Sequence, residues 1–215
     1  MNKPLYIVLA GRKQHGKDTV AVMLEKLIYK DRLAKDILIT SFAAPLKRFC
    51  HEVFGFSWED MATEEGKQKQ SNIKWEDIQS PPMIQDGYMG RSGFMTIREV
   101  LQYFGSNICR NRFLDRIWAQ GPFSQKTDAD VVIVTDCRFR NELAEARKNN
   151  AIVFRVWREP SPTGADEHIS EKDLDGVVWP IYETILNWGS LVQLEKSVEY
   201  VYNQYVRPHL VKPTA

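Results

Sequence analysis

An unbroken apolar run, Leu5–Ala10 (LYIVLA), passes directly into the glycine-bounded segment Gly11-Arg-Lys-Gln-His-Gly16-Lys17-Asp18-Thr19. Apolar residues then recur at helical spacing: Val20, Met23, Leu24, Leu27 and Ile28. No other feature narrows the fold as much. A strand without a polar face must be covered on both sides, the condition of a parallel sheet lying between helices. The amphipathic stretch that follows supplies part of one covering layer.

The rest of the chain repeats this alternation. Residues 131–135 (VVIVT) form a second wholly apolar strand that ends in Asp136, and strands are predicted over 37–42, 152–156 and 182–186. Pro45 opens a helix at its favoured first turn, with Leu46, Phe49, Val53 and Phe54 as its expected buried face. Thr96 and Glu99 have capping-box spacing, and Ile97, Val100, Leu101 and Phe104 continue that helix. Gly105 is expected to end it, with another helix through Phe113, Leu114, Ile117 and Trp118. Helices are also predicted over 141–148 and 191–205. Periodicity fails between about 57 and 94, which reads as an insertion with partial helices. Residues 158–175 read as a polar loop and a candidate lid. The expectation is one α/β domain over residues 1–215.

Composition excludes several classes. Lys and Arg total 29 against 28 Asp and Glu, so the net charge is +1. Bulk attraction to a nucleic-acid polymer is not expected of such a chain. The apolar runs are too short to span a bilayer, and the N-terminus lacks a secretory pattern, so no membrane partner and a cytoplasmic location are expected. Cys50, Cys109 and Cys137 lack disulfide-framework or zinc-site spacing. Oligomeric state stays open, a homodimer included.

The segment Gly11 to Lys17 has the spacing G-x4-G-K. Glycines let the backbone curl so that successive N–H groups face an anion, and the helix behind adds its positive end. Lys17 can reach the β- and γ-phosphates of a nucleotide, with Gly11, Gln14, His15, Gly16, Asp18 and Thr19 completing the phosphate loop. The alternative is a glycine turn that binds nothing. Asp18, rather than Ser or Thr, follows the lysine. Asp18 or Thr19 would then ligate Mg²⁺, unless phosphates and water hold the metal; Asp18 is also simply favourable in a helix first turn.

Asp136 ends an apolar strand, where ligands collect in open α/β sheets. It suits holding a metal-bound water or orienting an attacking group, or else capping the next helix. Arg138 and Arg140 follow at once. A guanidinium there can clamp a phosphate or stabilise a phosphoryl group in transfer, although one of the two is expected in a solvated loop.

With these pieces placed, the sequence resembles the deoxynucleoside monophosphate kinases of bacteriophages, within the P-loop nucleotide kinases. The similarity lies in GRKQHGKDT, in SFAAPLK (41–47), in TIREVLQYFGSNICR (96–110), in DCRFRNELA (136–144) and in HISE (168–171). Ser106 stands where that family often has Thr, and residues 57–94 match poorly.

The resemblance implies a three-layer P-loop kinase fold with a parallel sheet, a helical insertion and a lid. It implies transfer of the ATP γ-phosphoryl group, with Mg²⁺, to a deoxynucleoside 5′-monophosphate in the (host) cytoplasm. It further implies catalytic roles for Lys17, Asp136 and Arg138, and contacts from Lys47, Arg98, Gln102, Arg138 and Glu142 to the acceptor or the moving phosphate. Two alternatives stay open: a kinase of the phosphomevalonate or dephospho-coenzyme A type, and an ATP-binding regulatory module without catalysis.

Overall fold

The computed structural model describes residues 3–79, 82–83, 86–159, 173–174 and 182–211. The chain forms two compact units, residues 1–42 with 119–215, and residues 43–118.

In the first unit, strand β1 (Leu5–Ala10) leads through the 11–16 loop into helix α1 (Lys17–Lys30), and β2 (Ile37–Thr40) follows. The second unit begins with α2 (Ala44–Phe54) and the short helices α3 (Trp58–Ala62) and α4 (Glu64–Lys67). It continues with β3 (Gln70–Lys74), β4 (Phe94–Thr96) and α5 (Ile97–Gln102). The chain re-enters the first unit with α6 (Gly121–Ser124), β5 (Val131–Cys137), α7 (Arg140–Lys148), β6 (Ile152–Trp157), β7 (Glu183–Leu186), α8 (Leu191–Val201) and α9 (Arg207–Leu210).

The five strands of the first unit form a parallel sheet in the order β2-β5-β1-β6-β7. Alternation along β1 builds both cores. Ile7 and Leu9 pack with Val20, Leu24 and Ile28 of α1 and with Leu194 and Val198 of α8. Tyr6, Val8 and Ala10 pack on the opposite face with Leu143 and Ala146 of α7. Helices therefore cover both faces, giving the three-layer α/β fold that the wholly apolar strands anticipate, in the P-loop-kinase-like form that the resemblance implies.

The second unit differs more from the sequence-based expectation. Residues 57–94 contain α3, α4, a 3₁₀ turn (Trp75–Asp77) and β3, which pairs antiparallel with β4. The Thr96–Glu99 capping box forms as predicted, with Glu99 N donating to Thr96 Oγ1 and Thr96 N to Glu99 Oε2. Gly105 does not stop the helix. The chain continues as a π-helix over Tyr103–Phe113, and a Cβ on Gly105 would lie 2.5 Å from Leu46 Cδ2. Its glycine permits close packing rather than chain reversal. Residues 114–120 form turns, not the second helix expected through Ile117 and Trp118.

On α2, Leu46 and Cys50 are buried, whereas Phe49 and Val53 are exposed. Strand β2 stops at Thr40, short of Phe42. All three cysteines are free and buried. Burial, with Cys109 nearby, pushes the Cys50 thiol up to about 12. Among the described residues no helix is long and apolar enough to cross a membrane.

Candidate active site

In the first unit, the carboxyl edge of the sheet gathers most of the residues singled out by the sequence. The 11–16 loop leaves β1 there, held by Gly11 N donating to Cys137 O at 3.2 Å. A Cβ on Gly11 would lie 2.5 Å from Val156 O, so only glycine fits this approach of backbone to backbone. Gln14 (φ 60°) and Gly16 (φ 94°) are left-handed, the conformations that curl a loop into a concavity of N–H groups.

Helix α1 then begins with Gly16 as its N-cap and no side-chain capping hydrogen bond. The first N–H groups of a helix have no intrahelical acceptor, and an uncapped helix start is a setting that suits an anion. Lys17 lies in its first turn, buried, its ammonium donating to Gly11 O at 2.7 Å and Arg12 O at 2.6 Å. The cation is thus drawn back over the loop that an anion would occupy.

His15 is turned inward. Its imidazole Nδ1 lies 3.2 Å from Val156 O, and because a carbonyl only accepts, Nδ1 carries the donated proton. The ring also packs edge-on against Trp157 at 5.4 Å. Any contact from His15 to an anion is therefore through its backbone. Sequence reasoning missed Asn187, just beyond β7. Its amide Nδ2 donates to His15 O at 2.9 Å and its backbone N–H to Trp157 O at 2.7 Å. A Cβ on Gly16 would strike the same amide at 2.5 Å. The only trace of Asn187 in the sequence is its place after an apolar strand.

Asp18 and Thr19 are exposed in the first turn of α1. Both present hard oxygen donors, and among the described residues no group of three or more His, Cys, Asp or Glu could enclose a metal. That donor set fits Mg²⁺ held by one or two protein oxygens together with phosphates and water.

Asp136 lies inside β5 rather than beyond it, since the strand runs to Cys137. Between the pairs Val8–Val134 and Ala10–Cys137, β5 has one residue more than β1, a bulge spanning Thr135 and Asp136. Bulges re-aim side chains, and here Asp136 Oδ1 accepts from Phe42 N at 2.6 Å, fastening the segment that follows β2. Asp136 does not cap α7.

Glu142, in the first turn of α7, is 2% exposed. Its Oε2 accepts from Arg138 N at 2.8 Å and Phe139 N at 3.1 Å. This carboxylate fixes the turn that carries Arg138, which is half-buried. Arg140 is the exposed member of the pair, with Nε donating to Asp173 O at 2.9 Å. Asp173 Oδ2 also accepts from Arg140 N. Most of the candidate lid over 158–175, and the HISE segment, lie outside the described residues.

Lys47, Arg98 and Gln102 belong to the second unit. Arg98 Nη2 donates to Glu64 Oε2 at 2.7 Å, and Glu64 also receives Lys67 at 3.2 Å. Gln102 Oε1 accepts from the Tyr88 hydroxyl at 3.1 Å. Tyr88 stacks on Trp75 at 5.1 Å and meets Tyr103 edge-on, so the poorly matched insertion supplies aromatic neighbours to Gln102. A cavity of about 230 Å³ in this unit is lined by Phe54, Met95, Val100, Tyr103 and Phe104 among others. At about 100° per residue, Val100 lies roughly 200° around α5 from Arg98, whereas Gln102 lies only about 40° away. The apolar cavity and the Arg98–Gln102 pair therefore use opposite sides of the helix.

A family model for deoxynucleotide monophosphate kinases matches residues 49–198. The chain belongs to the deoxynucleotide monophosphate kinase family. The match takes in Arg98, Gln102, Asp136, Arg138 and Glu142, and begins beyond the 11–16 loop and Lys47. The chain is also 27% identical, over 202 residues and 93% of each chain, to a protein of Acanthamoeba polyphaga mimivirus provisionally named a deoxynucleotide monophosphate kinase. Membership of this kinase family makes the protein a phosphotransferase.

Proposed function

We propose that the protein transfers the γ-phosphoryl group of ATP to the 5′-phosphate of a deoxynucleoside monophosphate, releasing ADP and the deoxynucleoside diphosphate. The observation that carries this reading is the start of α1. It is an uncapped helix N-terminus behind a left-handed loop, with a buried lysine at its mouth.

In the proposed reaction, N–H groups of the loop and of Lys17, Asp18 and Thr19 bind the ATP phosphates. Lys17 exchanges its carbonyl contacts for β- and γ-phosphate oxygens. Asp18 and Thr19 would hold Mg²⁺, which offsets phosphate charge when bound. An oxygen of the acceptor phosphate forms the new bond to Pγ while the bond from Pγ to the bridging oxygen of ADP breaks. That oxygen is already a nucleophile, so no general base is required.

Arg138 stabilises charge on the moving group, and Glu142 acts through Arg138 by fixing its backbone. Asp136 orders the end of β5 beside the loop. Lys47, Arg98 and Gln102 are assigned to the acceptor, whose negative charge must be offset before two phosphates can meet. Soluble nucleotide substrates suit a cytoplasmic setting.

The deciding experiment is ADP formation from ATP against a panel of ribo- and deoxynucleoside monophosphates. Rejecting the extra hydroxyl, by leaving it buried without a partner, is worth about 1–3 kcal/mol, or roughly ten- to a hundred-fold in kcat/KM. A deoxy-to-ribo ratio near one removes the deoxynucleotide assignment. Absence of ADP with every acceptor removes the reaction itself.

A further inference from the structure

Helix α4 brings together charges that the sequence does not connect. Thr63 caps it, accepting from Gly66 N at 3.0 Å, and a Cβ on Gly66 would lie 2.4 Å from Asp60 Cα, so the turn is packed tightly in place. Two residues later Lys69 O accepts from Ile97 N at 3.0 Å, tying this segment to the start of α5. Lys67 and Arg98 consequently converge on one carboxylate, Glu64, at 3.2 and 2.7 Å.

The environment of Lys67 is unusual for a lysine. Its side chain is only 20% exposed and that of Arg98 23%, whereas Glu64 is 51% exposed. Burial lowers the Lys67 ammonium from its ordinary pKa; Glu64 opposes that shift, and Lys47 and Arg98 add like-charge repulsion. Lys67 and Arg98 thus share one carboxylate, with Lys47 near enough to repel Lys67. Among the described residues, Arg98 Nε is buried without a hydrogen-bond partner. Lysine is rarely withdrawn from water unless it is paired, and a phosphate monoester, with roughly −1.5 to −2 charge at pH 7, is a stronger partner for these cations than a single carboxylate.

We propose that Lys67 is a third cationic contact to the 5′-phosphate of the acceptor, beside Lys47 and Arg98, and that Glu64 is a resident anion which that phosphate displaces. The inference rests on the assignment of Lys47 and Arg98 to the acceptor. It adds a residue from the poorly matched insertion, and it gives Glu64 a role opposite in sign to those of its partners. Glu64, the most exposed of the three, swings toward water when a dianion takes its place. Lys67 and Arg98, held by the α4–α5 packing, stay.

The test is calorimetric titration of the full chain, without ATP, with the four deoxynucleoside monophosphates and with the four unphosphorylated deoxynucleosides. A monophosphate that binds the wild type should do so at least about ten-fold more tightly than its deoxynucleoside. Lys67→Met should remove most of that preference and leave deoxynucleoside and ATP affinities unchanged. Lys67→Arg should retain most of it, and Glu64→Gln should tighten monophosphate binding several-fold. Wild-type monophosphate affinity in Lys67→Met, weaker binding in Glu64→Gln, or a wild type indifferent to the phosphate each overturns the proposal. Turnover separates the two readings. Binding through Lys67 with no ADP from any acceptor sinks phosphoryl transfer alone. Normal turnover with an unchanged acceptor KM in Lys67→Met sinks this inference alone.

Discussion

Helix α8 closes its first turn with its own side chains, whereas α1 leaves its first turn to whatever lies in front of it. At the start of α8, Gln193 N donates to Ser190 Oγ and Ser190 N to Gln193 Oε1, a complete capping box. At the start of α1 stands Gly16, without a side chain to offer. Both helices pack on the same face of the same sheet, so burial does not explain the difference. A Ser, Thr, Asp or Asn cap is worth about 0.5–2 kcal/mol over alanine. The cap is omitted at the helix start where β1 and the glycine loop converge, which under the proposed function is where stability is conceded to a ligand.

The largest effect is expected on removing the cation that accompanies the open helix start. Lys17→Ala should lower kcat by about 10²–10³-fold, the scale of losing one preorganised charge donor. The Tm of the ligand-free protein should fall by a few degrees at most. Near-normal turnover with a collapsed Tm would make Lys17 a structural lysine, its two carbonyl contacts being its whole purpose.

A smaller effect is expected at Asn187, which braces the loop without touching a nucleotide. Asn187→Ala should raise the KM for ATP a few-fold and cost about 1 kcal/mol, the worth of a typical hydrogen bond. Gly16→Ala should also be less damaging in the Asn187→Ala background, because the amide its methyl would strike is gone. Strictly additive effects on ATP affinity would assign the demand for glycine to the positive φ alone.

The mildest change belongs to the closed helix. Ser190→Ala should cost about 1 kcal/mol in denaturant unfolding and leave kcat and both KM values unaltered. A kinetic defect there would show that α8 is not the inert half of the comparison.

The same contrast explains what was legible in the sequence. Strands β1 and β5 could be read because burial on both faces leaves a continuous apolar signature, and α1 because a 14-residue helix repeats its period several times. The glycine loop was legible because close backbone approach and positive φ both require glycine. The second unit resisted for the converse reason. Helices α3 and α4 have five and four residues, too few to establish a period. Gly105 has the appearance of a helix stop, but its reason is the distant Leu46. The Lys67–Glu64–Arg98 cluster joins residues 34 apart in sequence through the packing of short elements, and no local pattern announces it. The contact of Asp136 with Phe42 N, in place of a cap on α7, depends on a bulge that cannot be seen in a run of apolar letters.

The sheet order carries a consequence for how the chain is made. Strand β1 lies at the centre, yet both of its neighbours, β5 and β6, come from far later in the chain. The ribosome adds roughly 120 residues between Ala10 and Val131, which takes about 6–24 s at about 5–20 residues per second. Throughout that interval Leu5–Ala10 is an apolar segment with neither sheet neighbour yet synthesised, the kind of exposed strand edge that associates with other chains. A sheet whose central strand precedes both of its neighbours by more than a hundred residues places an aggregation hazard in the nascent state, and chaperone occupancy of Leu5–Ala10 should last until β5 has emerged.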